Sequence, residues 1–384
     1  MGRSVSYDLI ISAGRVLCAA TGLDGPGRVA VLGGRIAAAG PDVAGTAREW
    51  VSFPDGLLLP GLVDLHAHPA RGGARYGIAP DEHLLPRGVT TVLSQGDAGA
   101  GNWPDYRDRV IGASRTRVRL AIHLSQRGES DPDRPYGSLA DADVDACVAA
   151  IEDGGELIWG IAVNTGSSVG MDPHPLLDRA LQVADRSGRP LLFGTRMHPD
   201  WPLDEQLPLL RAGDVVTYCF NPLAEGLVHD GRVRACVRDA RRRGVLFDIG
   251  HGMASFSFPV AEAAIGEGFW PDTISSDQYH RHVGSRPQHD LALTVSKLIA
   301  AGMPEREAFR RATLRPAEVL GLDGEIGSLR AGTCADLAVL EQAEGGAAVP
   351  LRDVDGVERH GVRWVPRLTV RAGSLAVARG DRVA

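Results

Sequence analysis

Eight short apolar segments recur along the middle of the chain, and their alternation with helix-like segments is the strongest constraint on its fold. The apolar segments cover residues 62–65, 90–93, 119–124, 158–163, 190–193, 215–220, 245–249 and 273–275. Helix-like segments lie between several of them, including residues 143–151, 175–184, 231–242 and 259–267. Apolar strands that alternate with helices are typical of a parallel sheet, and eight such units predict a closed (β/α)8 barrel of the TIM type.

Both ends of the chain have a different texture, in which short strands are separated by glycine. These strands are predicted at residues 7–16, 28–32, 35–38 and 50–53, and again at 335–340 and 363–377. The same pattern of short strands on both sides of the barrel sequence predicts a small β-sandwich assembled from both termini. We therefore predict an α/β protein in two parts, with a composite β-sandwich of residues 1–55 and 323–384 and a barrel of residues 56–322.

Composition and charge exclude several classes of protein. The 384 residues include 48 acidic and 41 basic side chains, and no block of lysine or arginine suggests a nucleic-acid or membrane-surface partner. The five cysteines are scattered without a Cys-x-x-Cys pair, which argues against a disulfide framework and for a reducing compartment. No apolar run is long enough to span a membrane. We expect a cytoplasmic protein with a small-molecule substrate, and self-association stays open.

A pair of histidines ends the first predicted barrel strand, in the stretch Leu-Pro-Gly-Leu-Val-Asp-Leu-His-Ala-His at 59–68. Alternate side chains of a strand share a face, so His66 and His68 are predicted to project together. The carboxyl end of a barrel strand is the rim where barrel enzymes place their chemistry. Two imidazoles there predict a site for a metal such as zinc, and two histidines with only local hydrogen bonds are the alternative.

Asp277 follows the eighth predicted strand. The first and eighth strands of a closed barrel are neighbours, so this carboxylate is expected beside His66 and His68. Two imidazoles and one carboxylate form a three-ligand metal site with an open position, which is typical of a catalytic metal. Taken alone, Asp277 is equally an N-cap residue of the next helix.

Further side chains at the predicted rim are candidates for proton transfer and substrate binding. His251 follows the seventh strand and His123 lies in the third, and an imidazole titrates near neutral pH. A buried structural histidine is the alternative reading of His123. Arg71 and Arg75 follow the His66 strand in a glycine-rich loop and could present a guanidinium group to a carboxylate or aromatic ring. Tyr218 could donate a hydrogen bond or stack on an aromatic substrate.

These features together resemble the amidohydrolase superfamily. The strand at 60–68, the late aspartate and the terminal strands carry this likeness over nearly the whole chain. Within that superfamily, this chain resembles a deacetylase and dihydroorotase-like branch. The stretches that carry this resemblance are 76–77, 85–91, 96–102, 250–252, 255–258, 271–275 and 327–337. The resemblance implies a metal-dependent enzyme that cleaves amides or esters, including acyl groups on hydroxy or amino acids.

The chain departs from that family pattern at the second metal. Typical members bridge two metals with a carboxylated lysine on the fourth strand, and Ala162 occupies that place here. The histidines of the fifth and sixth strands are replaced by Gly194 and Tyr218, although His198 is close enough to substitute for the first. Lys297, the single lysine, lies in a later helix-like segment and does not supply the bridge. One divalent metal ion is therefore expected, with zinc as the expected element.

The resulting prediction is a mononuclear metal-dependent enzyme that hydrolyses or deacylates an ester or amide of a small acid, including aromatic acids. His66, His68 and Asp277 would hold the metal, Asp277 and His251 would handle protons, and the substrate would contact the residues Arg71, Arg75 and Tyr218. Related enzymes imply a second reading, a cyclodehydratase that closes a benzoxazole from an aminophenol ester or amide in natural-product biosynthesis. A non-haem iron oxygenase and a non-catalytic binding protein are further alternatives.

Overall fold

The computed structural model describes residues 6–70, 76–130, 136–166, 171–195, 197–378 and 381–382. The strands in chain order are β1 (Ser6–Cys18), β2 (Leu23–Leu32), β3 (Arg35–Gly40), β4 (Thr46–Pro60), β5 (Leu62–Ala67), β6 (Val89–Gln95), β7 (Arg117–His123), β8 (Ile158–Asn164), β9 (Leu191–Gly194), β10 (Val215–Thr217), β11 (Val228–His229), β12 (Arg232–Val233), β13 (Leu246–Phe247), β14 (Leu337–Gln342), β15 (Val349–Arg352), β16 (Glu358–Gly361), β17 (Trp364–Arg371), β18 (Ser374–Ala378) and β19 (Asp381–Arg382). The α-helices are α1 (Pro80–His83), α2 (Trp103–Tyr106), α3 (Val144–Gly154), α4 (Pro173–Ser187), α5 (Leu203–Gln206), α6 (Ala235–Arg242), α7 (Phe258–Gly266), α8 (Leu291–Ala300), α9 (Glu305–Arg310) and α10 (Leu314–Val319).

Seven strands form one parallel sheet in the order β13-β10-β9-β8-β7-β6-β5. The segment 273–278 closes it, because Thr273 pairs with Asp248 next to β13 and Gln278 pairs with Ala67 of β5, both in parallel. This arrangement confirms the predicted eight-stranded barrel. The interior of the barrel is filled by a buried cluster of side chains from several strands, as expected for a packed barrel core. The cluster includes Leu65, Leu93, Ala121, Leu192 and Val215.

Strands from both termini form a second sheet in the order β18-β17-β14-β4-β1-β2-β3, with β19 on β4. The predicted partnership of the two ends is confirmed, and hydrogen bonds join these strands into one continuous sheet. A buried apolar cluster shared by N-terminal and C-terminal strands holds it together. The cluster includes Ile11, Val29, Phe53, Leu337 and Val370.

The terminal sheet leads directly into the barrel through Gly61, which separates β4 from β5. A Cβ at Gly61 would lie 2.2 Å from Oγ1 of Thr90, so only glycine fits between the two strands. Its amide also donates to the carbonyl oxygen of Asp336 at 2.7 Å. The predicted boundary at residue 55 falls inside β4, and the division into domains stays a prediction.

The helices lie close to their predicted positions, with one difference at the segment 231–242. Its first residues belong to the β11–β12 hairpin, and α6 begins only at Ala235. Asp230 and Gly231 both have positive φ angles, 49° and 71°, which is the backbone of a tight hairpin turn. Within the described ranges, no helix combines the length and the apolar character needed to cross a membrane.

Candidate active site

His66, His68 and Asp277 meet at the carboxyl end of β5. Nε2 of His66 lies 3.5 Å from Oδ1 of Asp277, and Nε2 of His68 lies 3.4 Å from the same oxygen. All three side chains are buried, and their potential ligand atoms lie within 4.8 Å of one another. The structure therefore brings together the three residues predicted as metal ligands, while their role as ligands remains a proposal.

The backbone of the eighth strand holds the carboxylate in place. The amide of Asp277 donates to the carbonyl oxygen of His66 at 2.7 Å, and the amide of His68 donates to that of Gln278 at 3.0 Å. Asp277 itself has a φ angle of 48°, a left-handed conformation that a non-glycine residue rarely adopts. Such strained positions concentrate at functional sites, because the surrounding structure must compensate for their cost.

A buried hydrogen-bond chain orients the ring of His66. Nδ1 of His66 lies 2.9 Å from Oγ1 of Thr217, and this hydroxyl donates to Oδ2 of Asp248 at 3.0 Å. The carboxylate of Asp248 also accepts from the hydroxyls of Thr273 and Ser275, at 2.6 Å each. Since the Thr217 hydroxyl gives its proton to Asp248, it must accept from Nδ1–H of His66. The lone pair of His66 therefore lies on Nε2, towards Asp277.

The ring of His68 is oriented in the same way by a carboxylate. Its Nδ1 lies 2.9 Å from Oδ1 of Asp97, whose other oxygen accepts from the hydroxyl of Ser94 at 2.6 Å. Metal-binding histidines usually donate the second ring nitrogen to a carboxylate or similar acceptor, which fixes the tautomer. Two Nε2 atoms and one carboxylate oxygen then face a common point. This donor set fits a divalent ion such as zinc.

The pKa values of His66, His68 and Asp277 depend on their burial and on the charges around them. Burial, and then the charge of His68, lower the pKa of His66 well below its usual value. Burial also opposes the charged form of His68, but the carboxylates of Asp97 and Asp277 outweigh it and raise its pKa to about 10. Burial raises the pKa of Asp277. In the metal-free protein a proton on His68 therefore supplies the positive charge that the two carboxylates require.

Two glycines after β13 allow the chain to pass close to the cluster. A Cβ at Gly250 would lie 2.3 Å from Oγ1 of Thr217, and one at Gly252 would lie 2.4 Å from Oδ2 of Asp277. Both glycines also have positive φ angles, 51° and 48°. The Gly-His-Gly stretch is thus required by close packing against Asp277 and Thr217.

Three phenol rings border the cluster. The hydroxyl of Tyr218 lies 3.5 Å from Nε2 of His66, and burial, followed by the charge of Asp277, raises the tyrosine pKa well above 10. The rings of Tyr76 and Tyr279 lie 5.1 and 6.1 Å from that of His68, and 5.5 Å from each other. Sequence reasoning identified Tyr218 but missed the other two, whose only signal was their position in the loops that follow β5 and the eighth strand.

The structure places His251 in a separate hydrogen-bond network. Its Nδ1 lies 2.7 Å from the carbonyl oxygen of Gly252, and its Nε2 lies 2.8 Å from Nζ of Lys297. Both ring nitrogens therefore have partners outside the His66 cluster, and a role for His251 in proton transfer stays a prediction. Arg71 and Arg75 lie outside the described residues.

The other histidines considered for the site have hydrogen-bond or ionic partners of their own. Nδ1 of His123 accepts from the amide of Ser125 at 2.9 Å, and its Nε2 lies 3.6 Å from Oε1 of Glu129. His198 is more than half exposed and lies 2.9 Å from the carboxylate of Asp200. Within the described ranges, the potential ligands group around a single point.

The positions expected for a second metal have small or neutral side chains. Ala162 pairs in register with His123, and Gly194 lies against Asn164 and Tyr218, where an added Cβ would be 3.1 and 3.3 Å from their nearest atoms. A cavity of about 180 Å³ lies on the side of Gly194, where Asn164 and Tyr218 border it. Polar and apolar side chains line it, including Asn164, Thr195, Met197, Tyr218, Asn221 and Leu223.

Comparison with known proteins gives a consistent assignment. The amidohydrolase family profile matches residues 260–363. A deacetylase of Agrobacterium fabrum is 33% identical over 93% of this chain and 86% of its own length. A deacetylase of Enterococcus faecalis is 32% identical over 92% of this chain and 95% of its own.

Solved structures extend the similarity to the whole fold. A crystal structure of an adenine deaminase has a TM-score of 0.86 and 30% identity, and covers 96% of this chain and 99% of its own. A crystal structure of a dihydroorotase has a TM-score of 0.85 and 30% identity, with 98% of each chain covered. Full-length similarity in sequence and fold confirms the resemblance noted from the sequence. The chain is a hydrolase that belongs to the amidohydrolase family.

Proposed function

We propose that this enzyme hydrolyses an ester or amide of a small acid at a single metal ion held by His66, His68 and Asp277. One observation carries the proposal. Both imidazoles direct Nε2 at Asp277 while hydrogen bonds to Thr217 and Asp97 fix their Nδ1 atoms. The relatives named deacetylases support acyl transfer to water as the reaction.

A divalent ion at this point would supply two kinds of chemistry, lowering the pKa of a bound water to about 7 and polarising a substrate carbonyl. The residues present suit both tasks. Burial excludes bulk water from the cluster, and the carboxylate of Asp277 can accept the proton that a water molecule loses on attack. The same carboxyl group would then return that proton to the leaving oxygen or nitrogen.

Tyr218 would bind the carbonyl oxygen of the substrate. Because its pKa is raised well above 10, its hydroxyl keeps its proton at neutral pH and remains a hydrogen-bond donor. A donor directed at an oxygen that gains charge in the transition state contributes most when it is buried. Tyr218 also borders the cavity of 180 Å³, so one group of a substrate bound at the cluster could enter it.

The substrate group in that cavity is expected to be small and to have both apolar atoms and oxygen atoms. Met197 and Leu223 provide apolar walls. Thr195 lines the same cavity, and within the described ranges its buried Oγ1 has no hydrogen-bond partner. Tyr76 and Tyr279 on the other side of His68 favour a planar or aromatic group there.

Metal content and hydrolysis test the proposal together. We expect about one zinc per chain in purified protein, since the cluster has the three protein ligands of a catalytic zinc site. The His66→Ala variant should lose both the metal and the hydrolysis of N-acyl and O-acyl acids. His174→Ala, which removes an exposed imidazole, is the matched control. Two metals per chain, or full activity in His66→Ala, would refute the mononuclear site.

Ring closure with loss of water is the competing reaction at the same site. It is favoured because the described residues have one group of potential ligands, and a site without a metal-bridging hydroxide is less prone to hydrolyse an ester. An aminophenol ester or amide distinguishes the two reactions. Hydrolysis releases the free acid and the aminophenol, whereas cyclisation retains both parts in one benzoxazole and releases water. Exclusive formation of the benzoxazole would replace hydrolysis as the assigned reaction.

A further inference from the structure

Lys297, the single lysine of the chain, lies in α8 and is buried. Its Nζ lies 2.8 Å from Nε2 of His251. In the described part of the chain its hydrogen bond goes to this imidazole, and the carboxylate that contributes to its electrostatic environment is Asp353. A buried ammonium group beside a neutral base is costly to maintain, so the contact calls for a functional explanation.

The partners of His251 determine where the protons lie. Nδ1 faces the carbonyl oxygen of Gly252 at 2.7 Å, and a carbonyl oxygen only accepts, so Nδ1 carries hydrogen. Nε2 then accepts from the ammonium group of Lys297. Burial, followed by the charge of Lys297, lowers the pKa of His251 well below 6.5, which keeps the ring neutral.

The turn held by His251 packs against the proposed metal ligand. The amide of Gly252 donates to the carbonyl oxygen of Ser276 at 3.0 Å, and its Cα lies so close to Asp277 that a Cβ would come within 2.4 Å of Oδ2. A shift of this turn would therefore move the Asp277 carboxylate away from its position between the two imidazoles.

Two further histidines complete the network on the same side. Nε2 of His289 lies 2.8 Å from the carbonyl oxygen of Ser276, and its ring centre lies 4.8 Å from that of His251. His282 stacks on His289 with ring centres 4.0 Å apart. The pKa values of His251 and Lys297 therefore depend, besides on each other, on these two imidazoles and on the carboxylate of Asp353.

We propose that Lys297 is a positioning residue for Asp277. By donating to Nε2 of His251 it fixes the tautomer and orientation that hold the Gly252 turn, and the turn holds the carboxylate at the metal-binding point. The inference rests on the proposed function only in requiring that His66, His68 and Asp277 bind a divalent ion. Lys297 takes no part in the chemical step and contributes through the affinity of the site.

Zinc binding tests the inference without any substrate. Zinc affinity is measured by chelator competition for the wild type, Lys297→Met and Leu298→Met, the last being a volume-conserving change at a buried neighbour on α8. We expect Lys297→Met to bind zinc about 10-fold more weakly, the lower end of the cost of losing a direct partner of a metal ligand, because Lys297 acts on Asp277 through His251 and the Gly252 turn. Leu298→Met should bind as the wild type does.

Nuclear magnetic resonance provides a second readout, which needs no metal and begins with the wild type. With lysine labelled by nitrogen-15 in its side chain, the protein has one such signal, because the chain has one lysine. Burial lowers the pKa of Lys297 to about 8, and we expect the signal to titrate near that pH. His251→Gln should shift the signal, since it replaces the hydrogen-bond acceptor.

The outcomes separate the two proposals. Equal zinc affinity in the wild type and Lys297→Met would overturn this inference and leave the proposed metal site intact. A lysine signal that titrates at the ordinary pH of about 10.4 would also overturn it, because the ammonium would then be solvated. A wild type that binds no zinc would overturn the inference and the proposed function together.

Discussion

The hydroxyl of Thr217 links an imidazole of the cluster to a buried carboxylate, and its removal tests the orientation of His66. In Thr217→Val the ring loses the acceptor for Nδ1–H at nearly constant side-chain volume. We expect about 10- to 100-fold weaker zinc binding, measured by chelator competition. Thr294→Val, a buried threonine on α8 whose hydroxyl bonds to its own helix, is the control. Unchanged affinity would mean that packing alone orients His66.

Tyr218→Phe tests the proposed donor to the substrate. The change removes the hydroxyl 3.5 Å from Nε2 of His66 and keeps the ring. We expect kcat to fall about 100- to 1,000-fold, as for loss of one oxyanion donor, with metal content per chain unchanged. A large rise in KM at constant kcat would instead indicate that the phenol serves ground-state binding only.

The meeting of His66, His68 and Asp277 at one rim could be predicted, whereas the partners that orient them from other strands could not. His66 lies in β5 and His68 directly follows it, and the place of Asp277 followed from the closure of an eight-stranded barrel. Thr217 and Asp97 gain their importance from strands that are distant in sequence and only become neighbours in the folded sheet. Lys297 was assigned no role, because its contact with His251 depends on how α8 is rotated against the barrel.

At the scale of elements, a buried carboxylate caps the N-terminus of α8, and its ionisation should change the free energy of unfolding. Asp290 caps the helix by accepting from the amide of Leu293 at 2.8 Å, and burial raises its pKa to about 6. The unfolded value is about 3.9, so the native state binds more protons between these pH values. The contribution of Asp290 to the free energy of unfolding is therefore present below about pH 4 and is lost as pH rises to about 6.

Asp290→Asn should remove this dependence while keeping an acceptor oxygen at the cap. Relative to the wild type, we expect its free energy of unfolding to rise by up to about 3 kcal/mol between pH 4 and pH 7, from two pKa units at 1.36 kcal/mol each. Urea denaturation at several pH values measures the difference. A difference that stays constant over this range would show that Asp290 does not titrate there.

Element types could be read from the sequence more reliably than their ends. The apolar run before Asp277 marked the eighth strand, yet the structure forms it through isolated bridges at Thr273 and Gln278. The start of α6 was misplaced because the Asp230-Gly231 turn lies in a segment whose spacing suits a helix. Both residues adopt a left-handed backbone, which forms a hairpin turn and prevents the helix from starting before Ala235.

At the scale of the whole molecule, Asp336 connects the terminal sheet to the barrel. It is buried, and its carboxylate accepts from Arg117 next to the barrel core at 3.0 Å and from Arg371 of β17 at 3.1 Å. Removing one partner from a buried ion pair costs about 3–5 kcal/mol. We expect Asp336→Asn to lose about this much stability in one cooperative transition, measured by chemical denaturation.

The exposed pair of Arg352 and Glu358 provides the matched control. Glu358→Gln should change the free energy of unfolding by less than about 1 kcal/mol, as is usual for a surface salt bridge. Equal effects of the two substitutions would show that Asp336 is not a structural link. Two separate transitions in the wild type would show that the sheet and the barrel unfold independently.

The passage from β4 through Gly61 into β5 makes the site dependent on the order of protein synthesis. β4 reaches its full pairing only when β14 lies beside it, with Leu337 opposite Pro60 and Ala338 opposite Leu59. β5 and the two histidines at its end are made before the rest of the barrel, but the strand that anchors β4 is made after it. Metal uptake is therefore expected to follow the synthesis of β14, so a nascent chain that lacks β14 should not compete for zinc.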